Sequence, residues 1–226
     1  MPRKTLIRSS ELVYHVTSRS NNRDWFSLPL GEVWQIFCCG LLPSVERYGT
    51  EIHTLCLMSN HFHLLVSTPN KNLDEMMRDF MTAVSKTIAR RSGRINHVFG
   101  GRYKWSALST SWSVAFVYKY ICRNPIRASL CTQVEEYPYL TIGQLWKERH
   151  PLPICERTDA LWRQLRMNEK TRLAWLNQPT PNEVEALIGR ALRRFEFKFT
   201  ASNTVRKQWK NLCTSYGVTV PLTDTF

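Results

Sequence analysis

The chain has 226 residues, 43% of them hydrophobic and 22% charged, which is enough apolar material for a packed core and excludes a disordered polyelectrolyte. A formal net charge of +13 and a pI near 9.7 favour a polyanionic partner, because lysines and arginines that neutralise phosphates release condensed counterions. Seven cysteines, an odd number with no C-x-x-C pair, speak against a disulfide framework and a zinc ribbon. With no apolar leader and no run of ~18 apolar residues, a cytoplasmic protein away from membranes is expected.

Residues 11–18 (ELVYHVTS) are β-branched and aromatic and predict a first strand, ended by the polar run Arg19–Asp24. A helix is expected over 31–48, stopped by Gly49. Residues 51–58 and 61–68 predict two strands joined at Ser59-Asn60, a hairpin. Leu73, Met76, Met77, Phe80, Val84 and Ile88 recur at helical spacing over 72–92, with Asn72 as cap and Gly93 as stop. A fourth strand falls within 98–109 and a helix within 111–123, before Pro125. The order βαββαβ, then α, is that of the ferredoxin-like split βαβ unit, an α+β fold whose antiparallel sheet carries helices on one face.

The segment His150-Pro151-Leu152-Pro153 reads as a linker, so residues 1–150 are expected to form the main domain and residues 151–226 a basic helical extension. In the extension, Thr180, Pro181 and Glu183 predict a capped helix with Val184, Leu187, Ile188, Ala191, Leu192 and Phe195 on one apolar face, and Ser202–Tyr216 predicts another. Arg190, Arg193, Arg194, Lys198, Arg206, Lys207 and Lys210 give it a basic face. Two roles stay open, a clamp on a duplex stem and a cap over the main domain. A chain ending at Lys147 is expected to stay soluble.

Residues two apart share a face of a strand, so His61 and His63 point together while Phe62, Leu64 and Val66 point to the core. Two such imidazoles can make half of a metal site, although an H-x-H pair taken alone is more often just two ordinary, partly buried histidines. Tyr120 and Asn124, four apart on a helix, share a face; a phenol can attack phosphorus, and an amide oxygen can complete a metal shell. A tyrosine on an amphipathic helix can also be plain core. From Phe80 to Val134 there is no acidic residue, and basic and aromatic side chains interleave, as suits a single strand with its phosphates and stacked bases. Lys86, Arg90, Arg91, Arg102, Tyr103, Lys104, Lys119, Arg123 and Arg127 are the candidate DNA contacts.

Taken together, YHVTSRSNNR at 14–23, MSNHFHLLV at 58–66, GRYKW at 101–105 and YICRNPIRASL at 120–130 resemble the REP-associated tyrosine transposases, a branch of the single-tyrosine HUH nucleases. The resemblance covers about residues 11–146, with Ser20 in place of a usual glycine and Ser59 in place of a usual proline. It implies that His61, His63 and Asn124 hold a divalent metal, Mg2+ or Mn2+, and that Tyr120 is the nucleophile. It further implies a substrate of single-stranded, hairpin-forming repeat DNA, cut and rejoined through a 5′-phosphotyrosine. His15 could approach this site from the neighbouring strand, and Tyr118, some 200° round the helix from Tyr120, is the rival tyrosine. A non-cleaving nucleic-acid-binding regulator derived from such a transposase is the alternative, and both monomer and homodimer stay open.

Overall fold

The computed structural model describes residues 5–145, 152–155, 161–163 and 167–198. Four strands, β1 (Val13–Arg19), β2 (Glu51–Leu57), β3 (His61–Ser67) and β4 (Lys104–Leu108), form an antiparallel sheet in the order β2-β3-β1-β4. Helices α1 (Leu30–Tyr48) and α2 (Leu73–Ser92) pack against each other on one face. Both end on a left-handed glycine, Gly49 at φ 62° and Gly93 at φ 69°, as their sequences anticipate. The two helices approach closely at Gly40, where a Cβ would meet Val84 Cγ2 at 3.1 Å.

Alternation along the strands sorts the core. Tyr14 and Val16 of β1 and Phe62, Leu64 and Val66 of β3 all pack under α1 and α2. In β2 the apolar positions are Ile52, Leu55 and Leu57, which breaks strict alternation. A bulge between Ile52 and Thr54 absorbs the extra residue and returns Leu55 and Leu57 to the core face.

The opposite face is not open. Helix α3 (Ser111–Cys122), capped by Thr110, whose hydroxyl accepts from the Ser113 N–H, crosses it with Ala115, Phe116, Ile121 and Cys122 buried. A short helix α4 (Asn124–Arg127) follows directly after Arg123, itself in the right-handed helical region, and α5 (Thr141–Leu145) comes later. Next in the described chain come α6 (Glu169–Asn177) and α7 (Asn182–Ala191). Asn168 caps α6 through its side chain, whereas α7 starts at Pro181 with no side-chain cap, so the expected box built on Thr180 and Glu183 does not form. The expected helix over 202–216 lies outside the described residues. No helix among the described residues is long and apolar enough to cross a membrane.

Trp162, Met167, Trp175, Leu176, Val184, Ile188, Ala191 and Phe197 share one core with α3. Each large apolar side chain so buried contributes roughly 1.5–3 kcal/mol. The extension therefore shares the hydrophobic core on the α3 side of the sheet, which argues against the expectation that a chain ending at Lys147 stays soluble. Such a truncation should expose the outer side of α3 and associate or lose near-ultraviolet circular dichroism. A monodisperse monomer with the native spectrum would contradict the shared core.

Candidate active site

The pairing of β1 with β3 sets Thr17 opposite His63 and Arg19 opposite His61, with His15 one pair along. Because side chains alternate, all five project to the face away from α1 and α2. His63 is buried and His61 half-buried, their ring centroids 5.1 Å apart. Asn60 places its amide by donating to the Arg23 carbonyl at 2.8 Å, which turns its Oδ1 towards His61 Nδ1 at 2.7 Å. That acceptor holds the His61 proton on Nδ1 and leaves Nε2 as a lone pair.

His63 Nδ1 lies 2.8 Å from His15 Nε2. When His63 donates this proton, its Nε2 is likewise a lone pair. His15 then carries its own proton on Nδ1, a buried atom with no hydrogen-bond partner among the described residues. Burial keeps the three rings neutral. It pushes His61 down to about 4, with the Arg19 guanidinium opposite adding to the effect, and His15 down to about 3. His63 is lowered well below the ordinary histidine range, by burial first and then by its imidazole and guanidinium neighbours.

Tyr120, on the last turn of α3, meets this pair: its ring lies edge-on to His63, with centroids 6.0 Å apart. The Arg127 guanidinium sits 5.1 Å over the same ring and is itself held by Glu185 at 2.9 Å. Asn124 stands at the junction of α3 and α4, where Pro125 supplies no N–H. Its side-chain Nδ2 donates to the Tyr120 carbonyl at 2.8 Å, which fixes the amide and leaves Oδ1 for other partners. His61, His63, Tyr120 and Asn124 line one cleft of about 1440 Å3. Among the described residues no three His, Cys, Asp or Glu side chains are grouped to hold a metal ion. A donor set of two neutral imidazoles and the Asn124 amide oxygen nevertheless fits one with oxygen and nitrogen preference, with room for phosphate oxygens. Tyr118, in contrast, is fully buried against the Trp162 ring.

The basic stretch does not form one surface. Arg102, Tyr103, Lys104 and Arg127 line the cleft. Lys86, Arg90 and Arg91 belong to α2; Lys86 borders a separate groove with Arg94, and Arg91 approaches Glu32 at 3.8 Å. Lys119 and Arg123 are corrections to the expected DNA contacts, because both are buried. Lys119 Nζ donates to the Trp175 carbonyl at 2.6 Å and lies over that indole. Arg123 donates to the Leu176 and Asn177 carbonyls, with Glu185 beside it at 3.6 Å. These two cations dock the end of α6, leaving its last carbonyls satisfied. Arg190 and Arg193, expected only as part of a basic face, and Phe195, expected on the apolar face of α7 but lying past its end, also line the cleft, as do Arg19, Glu185 and Gly189, which the sequence did not single out. Period-2 alternation could have found Arg19. The others come from a segment whose docking no local pattern encodes.

Residues 8–124 match the family described as Transposase IS200 like, a match that ends on Asn124 and takes in the histidine pair and Tyr120. No curated protein matches the chain. Among solved structures it is similar to a REP-associated tyrosine transposase bound to a REP hairpin, at 17% identity and a TM-score of 0.53, covering 64% of this chain and 83% of that one. It also aligns with a Deinococcus radiodurans R1 protein at 15% identity and a TM-score of 0.36, over 54% of this chain and 94% of that one. The family match spans more than half of the sequence and contains His61, His63, Tyr120 and Asn124, which line the cleft: the chain belongs to the IS200-like transposase family.

Proposed function

We propose that the protein is a metal-dependent single-stranded DNA endonuclease and strand transferase, in which residues 1–150 carry the chemistry and residues 151–226 assist DNA binding. The observation that carries this reading is the meeting of Tyr120 with His63 and Asn124 in one cleft, from three separate elements. The similar solved structure holds a REP hairpin, which supports hairpin-forming repeat DNA as the substrate class.

Tyr120 Oη attacks the scissile phosphorus, the P–O3′ bond breaks, and the products are a 5′-phosphotyrosine and a free 3′-OH. The new ester conserves the energy of the phosphodiester, so attack by another 3′-OH reverses the step and joins strands without external energy. Arg127, fixed by Glu185, holds the Tyr120 ring, and the Asn124 amide ties the end of α3 in place. His61 Nε2, His63 Nε2 and Asn124 Oδ1 would hold Mg2+ or Mn2+, which supplies polarisation of the phosphate and stabilisation of the leaving oxygen. Asp74 is engaged by Arg8 at 2.6 Å, and Glu185 by Arg127. Both carboxylates lining the cleft are thus held by arginines, which argues against a dedicated water-activating base and favours attack by the tyrosine over hydrolysis.

Labelled single-stranded repeat DNA incubated with Mn2+ and resolved on a denaturing gel tests the reading. Wild type should yield cut strand and a covalent adduct. Tyr120→Phe should lose both while hairpin affinity stays within about threefold. A cutting Tyr120→Phe protein, or intact substrate with wild type, would overturn it; the second result would leave a binding protein that does not cleave.

His61→Ala or His63→Ala should abolish cutting, and excess chelator should do the same to wild type. Full activity in chelator would refute the metal role. The neutral imidazoles also set a pH dependence of stability. Unfolded histidines take up protons below ~6.5, whereas folded His61 and His15 stay neutral down to about 4 and about 3. The unfolded state binds more protons in that window, so this stability is full above ~6.5 and is lost as pH falls towards 4. Urea midpoints should drop between about pH 7 and about pH 5, and less so in His61→Gln; equal drops would refute the assignment to His61.

A further inference from the structure

We propose that α7 and the chain after it form a second wall of the catalytic cleft, and that Arg190 and Arg193 on this wall grip the phosphodiester backbone of a single strand passing Tyr120. The inference rests on the reading of the cleft as a DNA site, and it concerns residues beyond the family match, which ends at residue 124.

The wall is attached along two lines. Val184, Ile188 and Ala191 are buried in the core they share with α3. Past the helix, the chain pairs with the free edge of β4: the Ala107 N–H donates to the Phe195 carbonyl at 2.7 Å, and the Phe197 N–H to the Ala107 carbonyl at 2.9 Å. Phe195 also packs on Trp105, with ring centroids 4.9 Å apart. A helix so tethered presents its next residues at a fixed place.

That place is beside the nucleophile. A Cβ built on Gly189 would lie 3.8 Å from Tyr120 Oη. Glycine within a helix costs about 1 kcal/mol relative to alanine, and here it keeps bulk away from the space a phosphate must enter.

Charge on the two walls then selects the occupant. The acids lining the cleft, Asp74 and Glu185, are both neutralised by neighbouring arginines. Arg19, Lys104 and Arg102 on the sheet side, and Arg190 and Arg193 on α7 and just past it, line the same cleft and form no ion pair with a carboxylate among the described residues. Such a concentration of unpaired cations attracts a polyanion. The volume of about 1440 Å3 exceeds the roughly 300–1,000 Å3 of a small-molecule pocket. Trp105 and Phe195, half-buried between the charges, offer aromatic faces for unstacked bases, so a single strand fits better than a duplex stem. Lys198, expected from its sequence to join the basic face, instead pairs with Glu196 at 2.9 Å, and neither it nor Arg194 lines the cleft.

The test uses the full chain and two fluorescent DNAs, a G·C hairpin with oligo-thymidine flanks and the same hairpin blunt. By anisotropy, Arg190→Gln/Arg193→Gln should bind the flanked hairpin at least about tenfold more weakly. The slope of log affinity against log salt should fall by about 1.4, at about 0.7 per single-strand phosphate lost. Blunt-hairpin affinity should not change, and Lys198→Gln should bind both DNAs as wild type does. An equal loss on the blunt hairpin would overturn the proposal in favour of a stem clamp, and unchanged affinity in favour of a solvated face. Cutting that rises in the double variant would overturn it in favour of a cover over Tyr120. Binding is read whether or not Tyr120 cuts, so a protein that binds as expected yet forms no adduct refutes the nuclease reading and leaves the second wall standing.

Discussion

The register between β1 and β3 is the constraint on which the rest depends. With Thr17 opposite His63, alternation sends Phe62, Leu64 and Val66 into the core under α1 and α2 and sends His61 and His63 into the cleft. A slip of one residue would exchange the two sets, burying imidazoles among phenylalanines and exposing aliphatic side chains. The large apolar residues of β3 thus enforce the position of its two histidines. The same pairing brings His15 to Nδ1 of His63, and the turn before β3 brings Asn60 to Nδ1 of His61, so hydrogen bonds from the sheet and its turn orient the imidazoles.

Helix α3 brings the second half of the site by a different device. Its buried side faces the sheet and the extension, and only its last turn comes level with the histidines. At that turn the helical ladder is interrupted before Pro125, and the Asn124 side chain donates to the Tyr120 carbonyl. One residue therefore repairs the backbone and presents an oxygen beside the phenol. Lys119 and Arg123 face the other way and bind carbonyls of α6, which explains how charges so close to the site come to be buried. Desolvated cations survive there because each finds carbonyl oxygens, an aromatic face or the Glu185 carboxylate.

Most of the fold was legible because its signals are local. Helical spacing, glycine stops and the hairpin at Ser59-Asn60 set β1 to β3 and α1 to α3 to within a residue or two, β4 was only bracketed within 98–109, and the βαββαβ order pointed to the sheet. Alternation put His61 and His63 on one face and helical spacing put Tyr120 and Asn124 on another, but only the resemblance of the surrounding motifs singled the four out as a site. The DNA surface was less legible, because a count of charges along the chain does not say which way each points. Lys119 and Arg123 sit in the same basic stretch as Lys104 and Arg127, yet the first two face α6 and the others the cleft. The extension was least legible: its amphipathic helix announces an apolar face, but that this face meets α3, and that Gly189 then abuts Tyr120, are tertiary facts.

In the proposed reaction these parts form one centre, and the covalent step would pass through a single oxygen, that of Tyr120. Trypsin separates the two tyrosines of α3, since cleavage after Lys104, Lys119 and Arg123 leaves Tyr118 in the peptide 105–119 and Tyr120 in 120–123. Mass spectrometry of a denatured, digested reaction with single-stranded repeat DNA and Mn2+ therefore reads the attachment point directly. The account predicts nucleotide on 120–123 and none on 105–119. Nucleotide on 105–119, or on neither peptide despite strand cleavage, would contradict it.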